Sequence, residues 1–367
     1  MNVLVVGAGL SGMVLATALK KRGAEVDLIE VHPTWDVLGV GISVQGPALR
    51  ALKSLGLLER CIAAGFGYSQ VVNCDENGRV EGVVELPRLN GPQYPSCVGM
   101  MRPALHDVIA GAMHDAGVTM RFGLTVRALS EQGGVEFSDG SRGDYDVVVG
   151  ADGANSRVRE LVFGAATKPQ YTGQAVWRAM VPRPPEVHAR HAYYGPRHKA
   201  GFNPVSPQEM YIYLVQNVQG NPRLEPERWP AVMQELLADF GGHIGEVRRT
   251  ITDPRRIVYR PVSALLLPRP WYRRRVIVIG DAAHTAPPQL ASGATIAIED
   301  AIVLAELLTS APLEQALERF MARRYERCRI VVENSVQLGE WEKTPDAPDA
   351  NPTALIQASM KALAAPI

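Results

Sequence analysis

Short apolar runs that lead into glycine recur along the chain and predict buried strands of a parallel sheet. The first run covers residues 2–6 and is followed by an apolar helical period over residues 13–22. A second strand-like run covers residues 25–30 and ends in a carboxylate. Two later runs, residues 144–149 and 275–279, also lead into glycine. This alternation of strand and helix predicts an α/β fold with a Rossmann-like nucleotide-binding domain.

The chain from about residue 171 to residue 268 has a different pattern. Prolines are frequent here, and tyrosines, tryptophans and histidines are concentrated. Strand-like segments cover residues 172–181, 201–205 and 210–216, and a helical segment covers residues 229–240. We therefore predict an inserted, mostly antiparallel β-sheet domain, with one face of the sheet covering a pocket.

The remaining segments give a hairpin and C-terminal helices. Residues 67–73 and 79–85 predict two strands joined by a turn. The glycine-rich segment 38–47 fits either an ordinary loop or a loop that lies against a flat cofactor, and composition does not decide between them. Near the end of the chain the pattern predicts a helix over residues 312–339 and a linker over residues 344–352, followed by a short helix.

These elements divide the chain into a discontinuous nucleotide-binding domain, an inserted substrate domain and a C-terminal segment. The predicted bounds are 1–70, 96–170 and 269–340 for the first, 71–95 and 171–268 for the second, and 341–367 for the linker and short helix.

Residues 7–12 read G-x-G-x-x-G between the first strand and the first helix. Gly7 permits a tight turn, Gly9 lets the backbone approach a pyrophosphate, and Gly12 lets the helix pack closely on the sheet. Glu30 follows Gly12 by 18 residues (30 − 12), close to the spacing of about 20 for a carboxylate that binds ribose hydroxyls. The motif predicts a bound dinucleotide and does not separate FAD from NAD. The structural alternative is a glycine-rich turn without a ligand.

Two further strand ends carry polar groups. The sequence D-V-V-V-G-A-D-G-A-N-S-R-V-R ends one strand, and G-D-A-A-H-T-A-P-P ends another. Asp281 in the second motif can accept a hydrogen bond from a ribitol or ribose hydroxyl. The backbone N–H groups of Gly293, Ala294 and Thr295 open a helix and can face a developing anion.

Composition excludes several classes of protein. The 38 basic and 38 acidic residues balance, so no overall field favours nucleic acid or an anionic membrane. The four cysteines are scattered, which argues against a metal site or a disulfide framework and fits a reducing cytoplasm. The first strand begins at residue 2, so we expect no signal peptide. No apolar run approaches the roughly 20 residues of a membrane span.

The three motifs, in this order over residues 1 to about 340, resemble those of the FAD-dependent aromatic hydroxylases. These are single-component flavoprotein monooxygenases similar to p-hydroxybenzoate hydroxylase and salicylate hydroxylase. The resemblance implies FAD as cofactor, NADH or NADPH as electron donor, and O2 and a small aromatic or N-heteroaromatic ring as substrates. It also implies oxygen transfer through a flavin hydroperoxide without a metal. A monomer and a homodimer both remain open.

The resemblance further implies a set of cofactor-binding positions. The pyrophosphate would lie on Gly7, Gly9, Ser11 and Gly12, the adenosine ribose on Glu30 and the ribitol side on Asp281. Arg102 matches the family arginine that reaches the cofactor, Val126 would lie near the adenine, and Pro288 would begin the segment beside the isoalloxazine. Asp152 belongs to a motif linked to both FAD and NAD(P)H binding. The other expected contacts are Leu10, Val31, Gly41, Gly293, Ala294 and Thr295.

One segment departs from the family pattern. The family has G-Q-G before the last flavin-contacting helix, and this chain has Ala291, Ser292 and Gly293 at the aligned positions. Backbone N–H groups remain available, so we expect FAD binding to persist, with altered geometry of the segment.

The reaction requires an activated ring, and a base or hydrogen-bond acceptor that favours a phenolate raises the nucleophilicity of that ring. The candidate catalytic residues in the inserted domain are Tyr211, Tyr213, His198 and Lys199. A solvated lysine and core tyrosines are the structural alternatives. We interpret His284, in the G-D-A-A-H motif, as a structural histidine rather than the base.

Three other functions share features with this sequence. A flavin-free NAD-dependent dehydrogenase has no use for the motif at Asp281. A halogenase or an oxidase is possible on the same fold, although the halogenase W-x-W-x-I-P segment is not found in the sequence. A non-catalytic FAD-binding redox sensor is disfavoured by the size of the inserted domain.

Overall fold

The computed structural model describes residues 1–35, 39–195, 197–220, 224–345 and 347–367. In chain order its strands are β1 (Asn2–Val6), β2 (Glu25–Glu30), β3 (Gly41–Gln45), β4 (Phe66–Tyr68), β5 (Gln70–Asp75), β6 (Val80–Glu85), β7 (Cys97–Met101), β8 (Thr119–Phe122), β9 (Val126–Leu129), β10 (Gly134–Phe137), β11 (Arg142–Asp144), β12 (Val147–Gly150), β13 (Gln170–Pro182), β14 (Arg190–Tyr194), β15 (Lys199–Pro204), β16 (Glu209–Asn217), β17 (Ile257–Ala264), β18 (Tyr272–Arg273) and β19 (Val276–Val278). The α-helices are α1 (Leu10–Lys21), α2 (Gly46–Lys53), α3 (Leu58–Ala63), α4 (Arg102–Asp115), α5 (Arg157–Phe163), α6 (Trp229–Leu236), α7 (Gly242–Val247), α8 (Gly293–Leu308), α9 (Leu313–Lys343) and α10 (Pro352–Ala364). No helix among these residues is long and apolar enough to cross a membrane.

A six-stranded sheet in the order β18-β19-β12-β1-β2-β8 forms the nucleotide-binding half. All its pairs are parallel except β18 with β19. The predicted strands at residues 2–6 and 25–30 are confirmed. Helix α1 begins at Leu10, three residues earlier than predicted, so Gly12 lies inside the first turn. The carboxyl ends of β1, β2, β12 and β19 therefore meet at one edge of the sheet, where open α/β folds bind ligands.

The inserted region forms a seven-stranded sheet in the order β17-β13-β16-β15-β14-β5-β6. Only β14 with β5 is parallel, so the prediction of a mostly antiparallel sheet is confirmed. One face buries Trp177, Phe202 and Leu214 against apolar residues that include Met233 of α6 and Ile244 of α7. The alternating residues point to the opposite face.

Two predictions for the middle of the chain were incomplete. Strands β14 and β17 were not predicted, because β14 carries Arg190 and His191 among its few residues and Pro261 interrupts β17. The predicted strand at residues 67–73 is two strands, since β4 pairs with β7 whereas β5 joins the seven-stranded sheet.

The glycine-rich segment proposed as a loop is partly a strand. Gly41 to Gln45 form β3, which pairs antiparallel with β7. Leu38, at the start of that segment, lies outside the described residues. A Cβ atom on Gly41 would lie 1.8 Å from the Tyr211 ring, so glycine is needed here for contact with the inserted sheet.

The C-terminal helices pack on the nucleotide-binding half. Helix α9 continues to Lys343, beyond the predicted end at residue 339. Arg50 donates hydrogen bonds to the carbonyl groups of Ala364 and Ala365, at the C-terminal end of α10. The predicted linker spans only the residues between the two helices, and Asp346 within it lies outside the described residues.

A buried ion network joins α8, α9 and the strand end that follows β19. The Asp300 carboxylate accepts hydrogen bonds from Gly280 N, His284 Nε2 and Arg324 Nε at 3.1, 2.6 and 2.8 Å. Arg324 Nη1 also lies 3.0 Å from Glu299 Oε2, and these ionised side chains are fully buried. Burial opposes ionisation, but His284 and Arg324 hold the pKa of Asp300 at about 2. The interpretation of His284 as a structural histidine therefore fits its position.

The same cluster contains three residues of the types that ligate metal ions. The ligand atoms of His284, Asp300 and Cys328 lie within 4.8 Å of one another. The Arg324 guanidinium already neutralises Asp300, and burial raises the pKa of the Cys328 thiol. Both observations favour an ion network over a cation site.

Replacing Arg324 by Met should lower the free energy of unfolding by about 3–5 kcal/mol at neutral pH, because two buried carboxylates each lose one of their two basic partners. Asp300 would keep only His284, and Glu299 would keep only Arg327. The matched control is R329M, which removes an exposed pair with Glu326 and should cost less than about 1 kcal/mol. The stabilisation from Asp300 is complete above its unfolded pKa of about 3.9 and is lost as pH falls toward 2. Urea unfolding measures the free energy of unfolding, and its difference between wild type and R324M should become smaller from pH 7 to pH 2.5. If R324M and R329M lowered the free energy of unfolding equally at pH 7, the assigned role of Arg324 would be wrong.

Candidate active site

The three sequence motifs converge through close backbone contact. A Cβ atom on Gly7 would lie 2.6 Å from Ala151 O, and one on Gly12 would lie 1.9 Å from Gly7 O. A Cβ atom on Gly280 would lie 2.9 Å from Ser11 Oγ. Segments far apart in sequence therefore form one continuous surface at the carboxyl edge of the parallel sheet.

The first turn of α1 offers backbone donors to an anion. The initial N–H groups of a helix have no intrahelical partner, and here they belong to Leu10, Ser11 and Gly12. A Cβ atom on Gly9 would meet no atom within 4 Å, so open space lies before this turn. The arrangement suits a pyrophosphate.

Glu30 is fixed beside the glycine turn. Ala8 N–H donates to Glu30 Oε2 at 2.8 Å, and His32 N–H donates to Oε1 at 3.1 Å. The carboxylate keeps further lone pairs for ribose hydroxyls. Val31, the next residue, is 55% exposed and flanks the same strand end.

Asp281 and Arg102 lie near each other on the next part of this surface. Both side chains are accessible to solvent. The surrounding protein atoms raise the pKa of Asp281, and the positive charge of Arg102 partly opposes that rise. Arg102 is held at the start of α4, where its N–H donates to Val40 O at 2.9 Å. The pair can present one acceptor and one cationic donor to a ligand.

Asp152 follows β12, and its predicted link to FAD and NAD(P)H binding stays a prediction. Its carboxylate accepts hydrogen bonds from the Ser156 hydroxyl and from the N–H groups of Arg157 and Val158. The side chain therefore holds the N-terminus of α5, and only its backbone contacts the Gly7 turn. Val126 is buried at the start of β9, and its proximity to the adenine stays a prediction.

The segment before α8 adopts an unusual backbone. Ala291 has φ of 50° and ψ of 28°, in the left-handed region that favours glycine. Gln45 Nε2 donates to Leu290 O at 3.0 Å, and Ser292 Oγ donates to Gln45 Oε1 at 2.9 Å. The chain therefore makes a left-handed turn at Ala291, and the Gln45 side chain from β3 holds this turn through two hydrogen bonds.

Helix α8 begins at the same place and adds another set of backbone donors. Gly293, Ala294 and Thr295 form its first turn. A Cβ atom on Gly293 would find its nearest neighbour, the Ala286 methyl group, at 3.8 Å, which is an ordinary van der Waals contact. Pro288 begins the short 3-10 helix that precedes this turn.

A cavity, here called the inner cavity, lies between this segment and the free face of the seven-stranded sheet. The sheet contributes Arg178, Arg190, Lys199, Asn203, Tyr211 and Tyr213, and the facing wall contributes Ser43, Pro288, Gln289 and Ala291. Val176, Val215 and Glu342 complete the wall. Three of the four predicted catalytic residues, Tyr211, Tyr213 and Lys199, are therefore brought together.

His198 is placed elsewhere. It precedes β15, and it lines a neighbouring cavity rather than the inner cavity. Since strand alternation directs Lys199, Gly201 and Asn203 to the inner face, the adjacent His198 does not share it. This corrects the sequence-based grouping of His198 with the two tyrosines.

The inner cavity contains polar groups without protein partners. Tyr213 is 8% exposed, and neither its hydroxyl nor Arg190 Nε has a hydrogen-bond partner in the described structure. Ser43 Oγ lies 3.4 Å from the Tyr211 hydroxyl and accepts from the Tyr68 hydroxyl at 3.1 Å. Buried polar groups are normally satisfied, so the unpartnered pair marks a place for a polar ligand.

Lys199 forms an ion pair with Glu342 from the last turn of α9, at 3.4 Å. Burial disfavours the charged lysine, but Glu342, together with Tyr194 and Tyr213, outweighs this and raises the pKa of Lys199. Glu342 Oε2 also accepts from Gln289 Nε2 at 3.0 Å and from Gln174 Nε2 at 3.3 Å. Glu342 thus links the sheet to the segment before α8.

Sequence reasoning missed several of these residues. Arg178 gave a usable signal, since it is a charge on the face opposite Trp177 within the apolar second half of β13. Arg190 lies on a strand that was not predicted, and Glu342 lies beyond the predicted end of α9. Only the fold brings these two residues to the cavity.

The donor set fits FAD. The glycine turn and Glu30 suit the adenosine diphosphate half, while Asp281 and the first turn of α8 face the other end of the same surface. The fold and this site define a dinucleotide-binding flavoprotein class.

Comparison with known proteins gives the family. The family model described as FAD binding domain matches residues 1–338. The chain is 31% identical over 354 residues to 2-heptyl-3-hydroxy-4(1H)-quinolone synthase of Pseudomonas aeruginosa, covering 93% of this chain and 90% of that protein. It is 27% identical to 3-amino-4-hydroxybenzoate 2-monooxygenase of Streptomyces cremeus, covering 95% and 89%. The chain belongs to the FAD-dependent aromatic monooxygenases.

Solved structures show the same fold. Klebsiella pneumoniae HpxO complexed with FAD and uric acid aligns with a TM-score of 0.84 at 22% identity, covering 99% of this chain and 92% of that one. The tetrameric form of 2-methyl-3-hydroxypyridine-5-carboxylic acid oxygenase aligns with a TM-score of 0.77 at 22% identity, covering 99% and 95%. The predicted fold class is confirmed.

Replacing Asp281 by Asn should raise the dissociation constant for FAD about tenfold or more, because a hydrogen bond to a charged acceptor is lost. FAD fluorescence during titration of the apoprotein measures this. D107N, at an exposed carboxylate on α4, is the control and should leave the constant unchanged. Equal affinity of D281N and wild type would remove Asp281 from the cofactor site.

Replacing Ala291 by Gly should raise the free energy of unfolding by about 1 kcal/mol, because glycine adopts the left-handed conformation without the Cβ clash. The control A110G, in the regular helix α4, should lower it by about 1 kcal/mol. Chemical unfolding of both variants measures the difference. A destabilised A291G would show that the alanine methyl group contributes packing that exceeds the backbone strain.

Proposed function

We propose that the inner cavity binds a small electron-rich aromatic or N-heteroaromatic ring and that the protein adds one oxygen atom to it. One observation carries the proposal. The Tyr213 hydroxyl and Arg190 Nε have no hydrogen-bond partner in the described structure, and both residues line the same cavity as Pro288 and Ala291 of the cofactor surface. The overall balance is ring C–H, O2, NAD(P)H and a proton giving ring C–OH, NAD(P)+ and water. FAD, when bound, supplies the electron transfer from NAD(P)H and the activation of O2.

The charges lining the cavity favour a substrate with an acidic group. Arg178, Arg190 and Lys199 line it against one carboxylate, Glu342. A phenolate, a carboxylate or a ring oxygen with partial negative charge would be stabilised there. Because a phenolate is more nucleophilic than a phenol, this stabilisation also activates the ring toward oxygen.

The proposed roles of the individual residues follow from position. Arg190 and Tyr213 bind the acidic substituent, and Tyr211 orients the ring through its hydroxyl beside Ser43. Protonated Lys199 contributes positive charge at the cavity wall. The apolar side chains of Val176 and Val215 exclude water from the ring. The relatives whose names specify a quinolone and an aminohydroxybenzoate support a ring substrate of this class.

We also propose a cytoplasmic location and a monomeric or homodimeric state. All four cysteines are free and buried, which suits a reducing compartment. The balanced formal charge gives no support for nucleic acid as a partner.

The test is a panel of hydroxybenzoates, aminophenols, hydroxypyridines and hydroxyquinolines with the FAD-loaded protein. At least one ring should accelerate NAD(P)H oxidation at least tenfold and yield a product carrying one atom from 18O2. R190M should raise KM for an acidic ring about tenfold or more, because a charge-assisted hydrogen bond is lost. The control R255M, at an exposed arginine, should not change KM. A product without added oxygen would overturn the hydroxylation, and an unchanged KM in R190M would overturn the binding role.

A further inference from the structure

A second cavity, here called the outer cavity, lies beside the inner cavity toward the C-terminal helices. One wall is apolar and is formed by Val215 of β16, Leu338 and Trp341 of α9, and Ile356 of α10, with Pro345 between the helices. Polar side chains, Arg197, His198 and Asn217 among them, line the rest of the cavity. Leu338 is buried, whereas Trp341 and Ile356 are partly exposed to the cavity side. Apolar surface left accessible in a concave site favours an apolar ligand group.

The two cavities share wall residues. Lys199, Val215 and Glu342 line both of them. The ion pair between Lys199 and Glu342 therefore forms the boundary between the ring-binding space and the apolar space. A group attached to a ring in the inner cavity would reach the outer cavity by passing this pair.

The two halves of the pair are not equally fixed. Glu342 is held by Gln174 and Gln289 as well as by Lys199. Lys199 has a flexible four-carbon stem, and the only hydrogen bond of its ammonium group in the described structure is the one to Glu342. Rotation of Lys199 toward an acidic group on the ring would widen the boundary while Glu342 stays in place.

We propose that the outer cavity binds an apolar substituent of the substrate, such as an alkyl chain, while the ring occupies the inner cavity. This inference rests on the proposed function and specifies the substrate class of the same site. The substrate is then an acidic aromatic ring with an apolar tail, anchored by charge at one end and by hydrophobic burial at the other. The continuity of the two cavities at Lys199 and Glu342 carries the inference.

The test is binding of 4-alkylphenols, from phenol to 4-heptylphenol, to the FAD-loaded protein without NAD(P)H. Perturbation of the flavin absorbance reports the dissociation constant. Affinity should rise about two- to fourfold for each methylene group until the chain fills the cavity. In I356W the added ring occupies the outer cavity, so the gain per methylene group should disappear while phenol binds as in wild type.

L355W is the matched control, since Leu355 is the adjacent position on α10 and does not line the cavity. In L355W, affinity should rise with alkyl chain length as it does in wild type. In I356A, the smaller side chain enlarges the cavity, so the alkylphenol that binds most tightly should have a longer chain than in wild type. If phenol binds but affinity does not change with alkyl chain length, the inference is overturned and the proposed function is left intact. If no ring of the earlier panel binds or accelerates NAD(P)H oxidation, both are overturned.

Discussion

Close packing around three glycines at the carboxyl edge of the parallel sheet is the constraint on which this structure depends. Gly12 packs against the backbone of Gly7, Gly7 against the backbone of Ala151, and Gly280 against the side chain of Ser11, at separations that leave no room for a Cβ atom. These contacts place the helix N-terminus, Glu30 and Asp281 on one surface. Because each of these groups would recognise only part of an elongated dinucleotide, the cofactor site exists only when the contacts are made.

The network around Asp300 holds the same surface to the C-terminal helices. The Asp300 carboxylate on α8 accepts hydrogen bonds from the N–H of Gly280, the ring of His284 and the guanidinium of Arg324 on α9. The strand end at Asp281 is thereby connected to α8 and α9. Helix α9 in turn delivers Glu342 to the inner cavity. Helices α8 and α9 therefore stabilise the cofactor surface, and α9 also forms part of the wall of the inner cavity.

The inserted sheet has a different chemistry on each face. Its apolar face is covered by α6 and α7. The other face carries arginines, a lysine and tyrosines toward the cofactor surface. Functional groups on strands of a packed sheet hold their positions better than groups on loops, which suits a site that must orient a small ring and exclude water.

Much of this could be predicted from local sequence. The glycine motif, Glu30, Asp281 and the first turn of α8 follow from strand-turn-helix patterns, in which neighbouring residues fix the geometry. The same patterns, together with the order of the three motifs, predicted the fold class and the family. Alternation along β16 also predicted that Tyr211 and Tyr213 share a face. Tertiary structure alone decided that Arg190 and Glu342 join them, that His198 does not, and that Ala291 adopts a left-handed conformation. Those outcomes depend on strand pairing and helix packing between segments more than one hundred residues apart, and such pairing leaves no local pattern in the chain.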